Sequence, residues 1–155
     1  MKEIFNKINI EKLKNDFQNG KPFKHIIVDD FLSQEIADNL LCNFPSIESK
    51  KWIIDYDEQK KPILYAKNNP FEKKLIAISD KKKFPICYQE IFKYFDSKYF
   101  ISLVKEITGL QGIMPDTTGR HAGIRGMIDK SFQHVHSDAV LHPETGLEKR
   151  LTVIL

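Results

Sequence analysis

His136 and Asp138 stand two residues apart in a stretch where Phe132, His134, His136 and Asp138 alternate with Gln133, Val135 and Ser137. Alternation of this period marks a β-strand, and in a strand residues i and i+2 project from the same face. An imidazole nitrogen and a carboxylate oxygen held in this way can converge on one cation. With a third histidine from elsewhere they make the facial two-histidine, one-carboxylate set that holds non-haem Fe(II) and leaves positions open for substrate and dioxygen. The plainer alternative is a half-buried strand with His and Asp on its polar face, because a His-x-Asp triplet also arises by chance.

The triplet sits inside a longer pattern. Gly119-Arg120-His121-Ala122-Gly123-Ile124-Arg125-Gly126 precedes it, and His142-Pro143-Glu144-Thr145-Gly146-Leu147 and then Arg150-Leu151-Thr152 follow it. This pattern resembles the Fe(II)/2-oxoglutarate-dependent oxygenases of the prolyl-4-hydroxylase-like group. In that family a glycine-containing approach leads into a His-x-Asp strand, a His-Pro-x-Thr-Gly turn, and a basic residue opening the next strand. Residues 23–44 are similar to the start of the family's domain, and Ile107-Thr108-Gly109 to the helix end ahead of its core. The most specific part of the resemblance is residues 123–151.

The resemblance implies an α+β fold with a double-stranded β-helix, or jelly-roll, core of about eight strands, buttressed by N-terminal helices. It implies an Fe(II)- and 2-oxoglutarate-dependent dioxygenase, a hydroxylase, acting on a small molecule or peptide. His136 and Asp138 would be two of the three iron ligands. Arg125, at the mouth of the expected barrel, is a candidate for an anionic group of substrate or cosubstrate, with an ion pair to a nearby carboxylate as the alternative. The family's second ligating His, and the Arg or Lys that pairs with the far carboxylate of 2-oxoglutarate, lie on strands later than Leu155. The expectation is therefore an N-terminal or truncated portion of such a domain, with an incomplete core, inactive by itself. A non-catalytic metal-binding or interaction domain of jelly-roll type is the alternative function.

The other histidines of the cluster are poor substitutes for the missing ligand. His134 shares a strand face with His136, but three ligands in line on one strand cannot wrap a cation facially. His121 and His142 fall in expected loops and are read as turn or surface residues, with a swing toward the metal as the alternative. Arg150 is read as a partner in a structural ion pair. Gln133 alternates with His134 and is expected to face away from the metal.

Helices and strands must position this site. Ile10, Leu13 and Phe17 fall at helical spacing ahead of Asn19-Gly20, predicting an amphipathic helix with a Gly-type cap. A β-prone run, His25 to Val28, follows Pro22. Ser33 is placed as the N-cap of a helix with Ile36, Leu40, Leu41 and Phe44 on one face and Pro45 as its stop. Residues 52–56 and 63–65 predict a short hairpin about a polar turn. Apolar residues recur three and four apart over 85–95 and 97–107, predicting two packed helices stopped by Gly109. Five of the seven glycines lie between 109 and 126, where turns replace helix. Helices over 1–110 and the start of a β core over 111–155 make one domain of helices packed on a β core.

Composition sets the bounds. With 155 residues, 41% apolar and 29% charged, the chain suits a single globular domain and excludes whole-chain disorder or a collagen-like repeat. The formal net charge is +3, and Lys73, Lys74 and Lys81 to Lys83 lack the interleaved aromatics that stack bases, so a solvated loop is expected there rather than a nucleic-acid surface. Cys42 and Cys87 are too few for a disulfide framework and are expected to be reduced and structural. No stretch approaches a signal peptide or a membrane span, so a cytoplasmic protein without membrane contact is expected.

Overall fold

The computed structural model describes residues 6–46, 75–78, 80–117, 122–127, 140–142 and 144–155. The chain divides into two compact units: Met1–Phe44 with Pro85–Pro115, and Pro45–Phe84 with Asp116–Leu155.

The first unit is helical. Helix α1, Ile10–Asn19, begins where Asn9 accepts the Lys12 backbone N–H at 3.0 Å, and it buries Leu13 and Phe17. Gly20 is its C-cap, as expected, with the N–H donating to the Phe17 carbonyl at 3.4 Å. Gly20 has φ −57°, so no left-handed residue is needed; instead a Cβ there would stand 2.7 Å from the His25 carbonyl oxygen and 2.8 Å from its nitrogen. The glycine is required by a close backbone approach.

Helix α2, Gln34–Cys42, begins after Ser33, whose side chain makes no capping bond. Its carbonyl nevertheless accepts from the Ile36 and Ala37 N–H groups. Leu40 is buried at 6% exposure, but Leu41 is 75% exposed and Phe44 lies past the helix end. The expected four-residue apolar face is thus narrower, because consecutive residues on a helix point about 100° apart and only one of the two leucines can face α3. Cys42 is an exposed thiol at the end of α2, not a core residue, and Cys87 is half-buried.

Helices α3, Ile86–Phe95, and α4, Lys98–Thr108, are joined by Asp96 and Ser97. The Ser97 hydroxyl accepts the Phe100 N–H at 3.2 Å, and Gly109 closes α4 in the left-handed conformation at φ 75°, its N–H donating to Lys105. Leu13 and Phe17 of α1 pack with Phe100, Leu103 and Ile107 of α4 to form the core. The Phe100 ring also lies 4.8 Å from Phe95 and 5.4 Å from Tyr94, centre to centre. From α3, Tyr88 donates its hydroxyl to the Leu40 carbonyl of α2 at 2.7 Å.

Residues 25–28, expected as a strand, enter no ladder among the described residues. Ile26 and Val28 lie against the helical core while Ile27 is 77% exposed, so the β-like alternation is met by packing on helices. The Asn6 side chain brackets the turn that follows, donating to the Asp30 carbonyl at 2.6 Å and the Leu32 carbonyl at 3.1 Å.

The second unit holds the β structure. Strand β1, Leu75–Ile78, pairs antiparallel with β2, Ile124–Met127, in the register Leu75 to Met127 and Ile78 to Ile124. A 3-10 turn, Lys81–Lys83, starts at Asp80, whose carboxylate accepts the Lys82 N–H at 3.0 Å, and leads to the buried Phe84. Lys82 and Lys83 are exposed as expected of a solvated run, whereas Lys81 is half-buried. Lastly, residues 140–149 form a tight reversal with a bridge between Leu141 and Glu148. The expected hairpin over 52–65 and the strand carrying His136 lie outside the described residues. Among the described residues no helix is long and apolar enough to cross a membrane.

Candidate functional site

The reversal after the His-x-Asp segment is the most fully built polar feature among the described residues of the second unit. His142 donates its backbone N–H to the Leu147 carbonyl, and its own carbonyl accepts from Gly146, both at 2.8 Å. Lys149 N–H donates to the Val140 carbonyl at 2.7 Å, extending the pairing outward. Gly146 adopts φ 67°, a left-handed conformation that a β-carbon disfavours, which explains glycine at this point of the turn. The Thr145 hydroxyl oxygen accepts the Leu147 N–H at 3.3 Å.

The imidazole of His142 takes part in the same turn. Its Nδ1 accepts the backbone N–H groups of Glu144 and Thr145, each at 3.2 Å. A nitrogen that accepts carries no proton, so the proton of the neutral ring resides on Nε2. Nε2 lies 3.6 Å from the Asp116 carboxylate, and both side chains are largely buried, at 10% and 19% exposure. The Asp116 backbone carbonyl in turn accepts the Lys81 ammonium at 3.3 Å. Three stretches distant in sequence thus meet at Asp116.

These contacts give His142 the turn role: its Nδ1 accepts from two backbone donors, and its Nε2 faces the Asp116 carboxylate. Among the described residues no group of three or more His, Cys, Asp or Glu side chains is gathered to hold a metal ion. His136, Asp138, His121 and His134 lie outside the described residues.

Arg125 sits in β2 with its backbone opposite Ala77, and its side chain is exposed next to the buried Ile124. An exposed guanidinium on β2 can take a carboxylate or phosphate bidentately. Arg150 pairs with Glu148 at 2.9 Å on the surface, as expected of a structural ion pair, and contributes little in so exposed a place.

Asp116 was not visible as a site residue in the sequence. It follows Pro115 in a glycine-rich connection, and nothing local distinguishes it from a turn aspartate. The signal that existed lay in His142 itself, a histidine heading a four-residue reversal, where a side-chain acceptor two or three residues before free N–H groups substitutes for an Asx turn. No family model matches the chain, and neither any curated protein nor any solved structure matches it.

Proposed function

We propose that these residues belong to an Fe(II)- and 2-oxoglutarate-dependent dioxygenase, to which they contribute His136 and Asp138 as two iron ligands on a jelly-roll strand. The observation that carries the proposal is the His-x-Asp strand pattern leading directly into the closed turn headed by His142 and completed by Gly146. In a strand, residues two apart share one face, which is what the proposal asks of His136 and Asp138. Iron with 2-oxoglutarate, when bound, supplies the oxygen-activating chemistry that hydroxylates a C–H bond.

The chain's own groups have distinct tasks in this proposal. The His136 imidazole and Asp138 carboxylate fix two positions of the ion and leave one side open. Arg125, exposed on β2, receives an anionic group of substrate or cosubstrate.

Anaerobic titration of the 155-residue chain with Co(II), a spectroscopic stand-in for Fe(II), tests the proposal. Weak saturable binding is expected, reduced at least about tenfold in His136→Ala and in Asp138→Ala. Binding that is indifferent to both substitutions, or absent at millimolar metal, overturns it.

A further inference from the structure

We infer that the loop Lys21-Pro22-Phe23-Lys24 is an interfacial anchor that seats the helical unit on an anionic lipid surface, Phe23 entering the headgroup layer while Lys21 and Lys24 meet the lipid charges. The anchor is independent of the iron site proposed above. The loop is built to project. Gly20 and His25 bring their backbones so close that a β-carbon on Gly20 would stand 2.7 Å from the His25 carbonyl oxygen, so the four residues between them are pinched together at the base. All four are exposed. Contacts at its edge fix its shape: His25 donates from Nδ1 to the Phe23 carbonyl at 2.9 Å, the Phe23 and His25 rings lie 5.3 Å apart, and the Lys24 ammonium donates to the Gln18 side-chain oxygen of α1.

Apolar surface and charge both match a lipid interface. Phe23 is 69% exposed, and Ile27, left outward while Ile26 and Val28 lie against the core, is 77% exposed. Apolar side chains beside lysines bury themselves at the boundary of headgroups and acyl chains while the ammonium groups stay with anionic lipid. The charge is of one sign: from Phe17 to Val28 the chain carries Lys21 and Lys24 and no acid. Lys14 lies one turn before Gln18 on the same face of α1 and adds a third ammonium on the side that Lys24 reaches. Asp16, the acid ahead of the stretch, is paired with Lys12 at 2.7 Å, and Asp29 and Asp30 follow it in the turn bracketed by Asn6. A single ring lacks the run of aromatics on which successive bases stack, and Ile27 has no π face, so lipid is favoured over nucleic acid. Among the described residues no helix is long and apolar enough to cross a membrane, so the contact proposed is a surface one, weak and reversible with so few anchoring groups.

Co-sedimentation of the full 155-residue chain with phosphatidylcholine vesicles, with and without phosphatidylserine, tests the anchor. Binding to the phosphatidylserine vesicles is expected, fading as salt is added. Phe23→Ala is expected to weaken it about tenfold and Phe23→Trp to preserve it. Lys21→Ala and Lys24→Ala are each expected to weaken it about fivefold. Leu41→Ala removes an apolar side chain that is 75% exposed on α2, and is expected to leave binding unchanged, which separates an anchor from general apolar adhesion. These positions are all exposed, and far-UV circular dichroism checks that each variant keeps its helices. No binding to phosphatidylserine vesicles, equal binding to phosphatidylcholine alone, binding unmoved by Phe23→Ala, or a loss in Leu41→Ala as large as in Phe23→Ala overturns the anchor. So does a chain that leaves both vesicles unbound but holds a single-stranded oligonucleotide through Phe23.

Discussion

Gly20 and Gly109 both follow helices, yet they are glycines for opposite reasons, and substitution separates the two. At Gly109 φ is +75° and a β-carbon would meet nothing within 4 Å, so alanine costs backbone strain alone. The left-handed conformation costs a non-glycine residue about 1–2 kcal/mol, and reduced freedom of the unfolded chain returns about 0.4–1 kcal/mol, leaving a net loss of roughly 1 kcal/mol. Asparagine, which tolerates this conformation, is expected to cost less than alanine despite its larger side chain. At Gly20 φ is an ordinary −57°, but the added carbon would lie 2.7 and 2.8 Å from the His25 backbone. Backbone atoms cannot rotate aside as a side chain can, so overpacking of about 1–3 kcal/mol is expected, and asparagine is no better than alanine. Urea unfolding followed by far-UV circular dichroism reads the helical unit directly. With a slope of about 1–3 kcal/mol per molar urea, Gly109→Ala lowers the midpoint by about 0.5 M and Gly20→Ala by more. If asparagine is worse than alanine at position 109, or harmless at position 20, the assignment of strain to one glycine and crowding to the other is refuted.

Adjacent leucines in α2 provide a second test: Leu40→Ala is expected to cost about 2–5 kcal/mol and Leu41→Ala less than about 0.5 kcal/mol, both read as urea midpoints. Tyr88 and Tyr94 give the pH dependence. Burial pushes both phenols above their ordinary 10.0, with Cys87 adding to the effect at Tyr88 and Tyr99 at Tyr94. The folded state therefore holds these protons more tightly than the unfolded chain does, so their contribution is intact below pH 10 and lost as pH rises through the folded values. Tyr88→Phe is expected to cost about 1 kcal/mol at pH 7, through its bond to Leu40, and to flatten the decline above pH 10. An equal decline in wild type and variant would show that Tyr88 plays no part in it.

His142 engages its Nδ1 with two turn amides and turns its Nε2 toward Asp116, so the turn role read for it in the sequence is the one its described contacts show.

Helix ends were legible because capping is local. Asn9 and Ser97 cap through groups three residues away, and Gly109 needs only its own dihedral angle, so short-range pattern placed α1 and α4 nearly to the residue. The glycine in the His142 turn was legible for the same reason. Other features depended on partners that local pattern does not name. The alternation of residues 25–28 suits a strand or an extended segment on helices equally, and contact with the α1–α4 core chose the second. Leu40 and Leu41 are chemically identical, and only packing within the helical unit buries one of them. Gly20 caps α1 as its place after the helix suggests, but only the His25 backbone against it makes glycine necessary there. The sequence by itself thus determined where helices start and stop and which residue types could bind iron. Only the tertiary structure decided that Asp116 meets His142, because a side-chain pairing between distant segments is set by how their backbones pack and not by the residues adjacent to either.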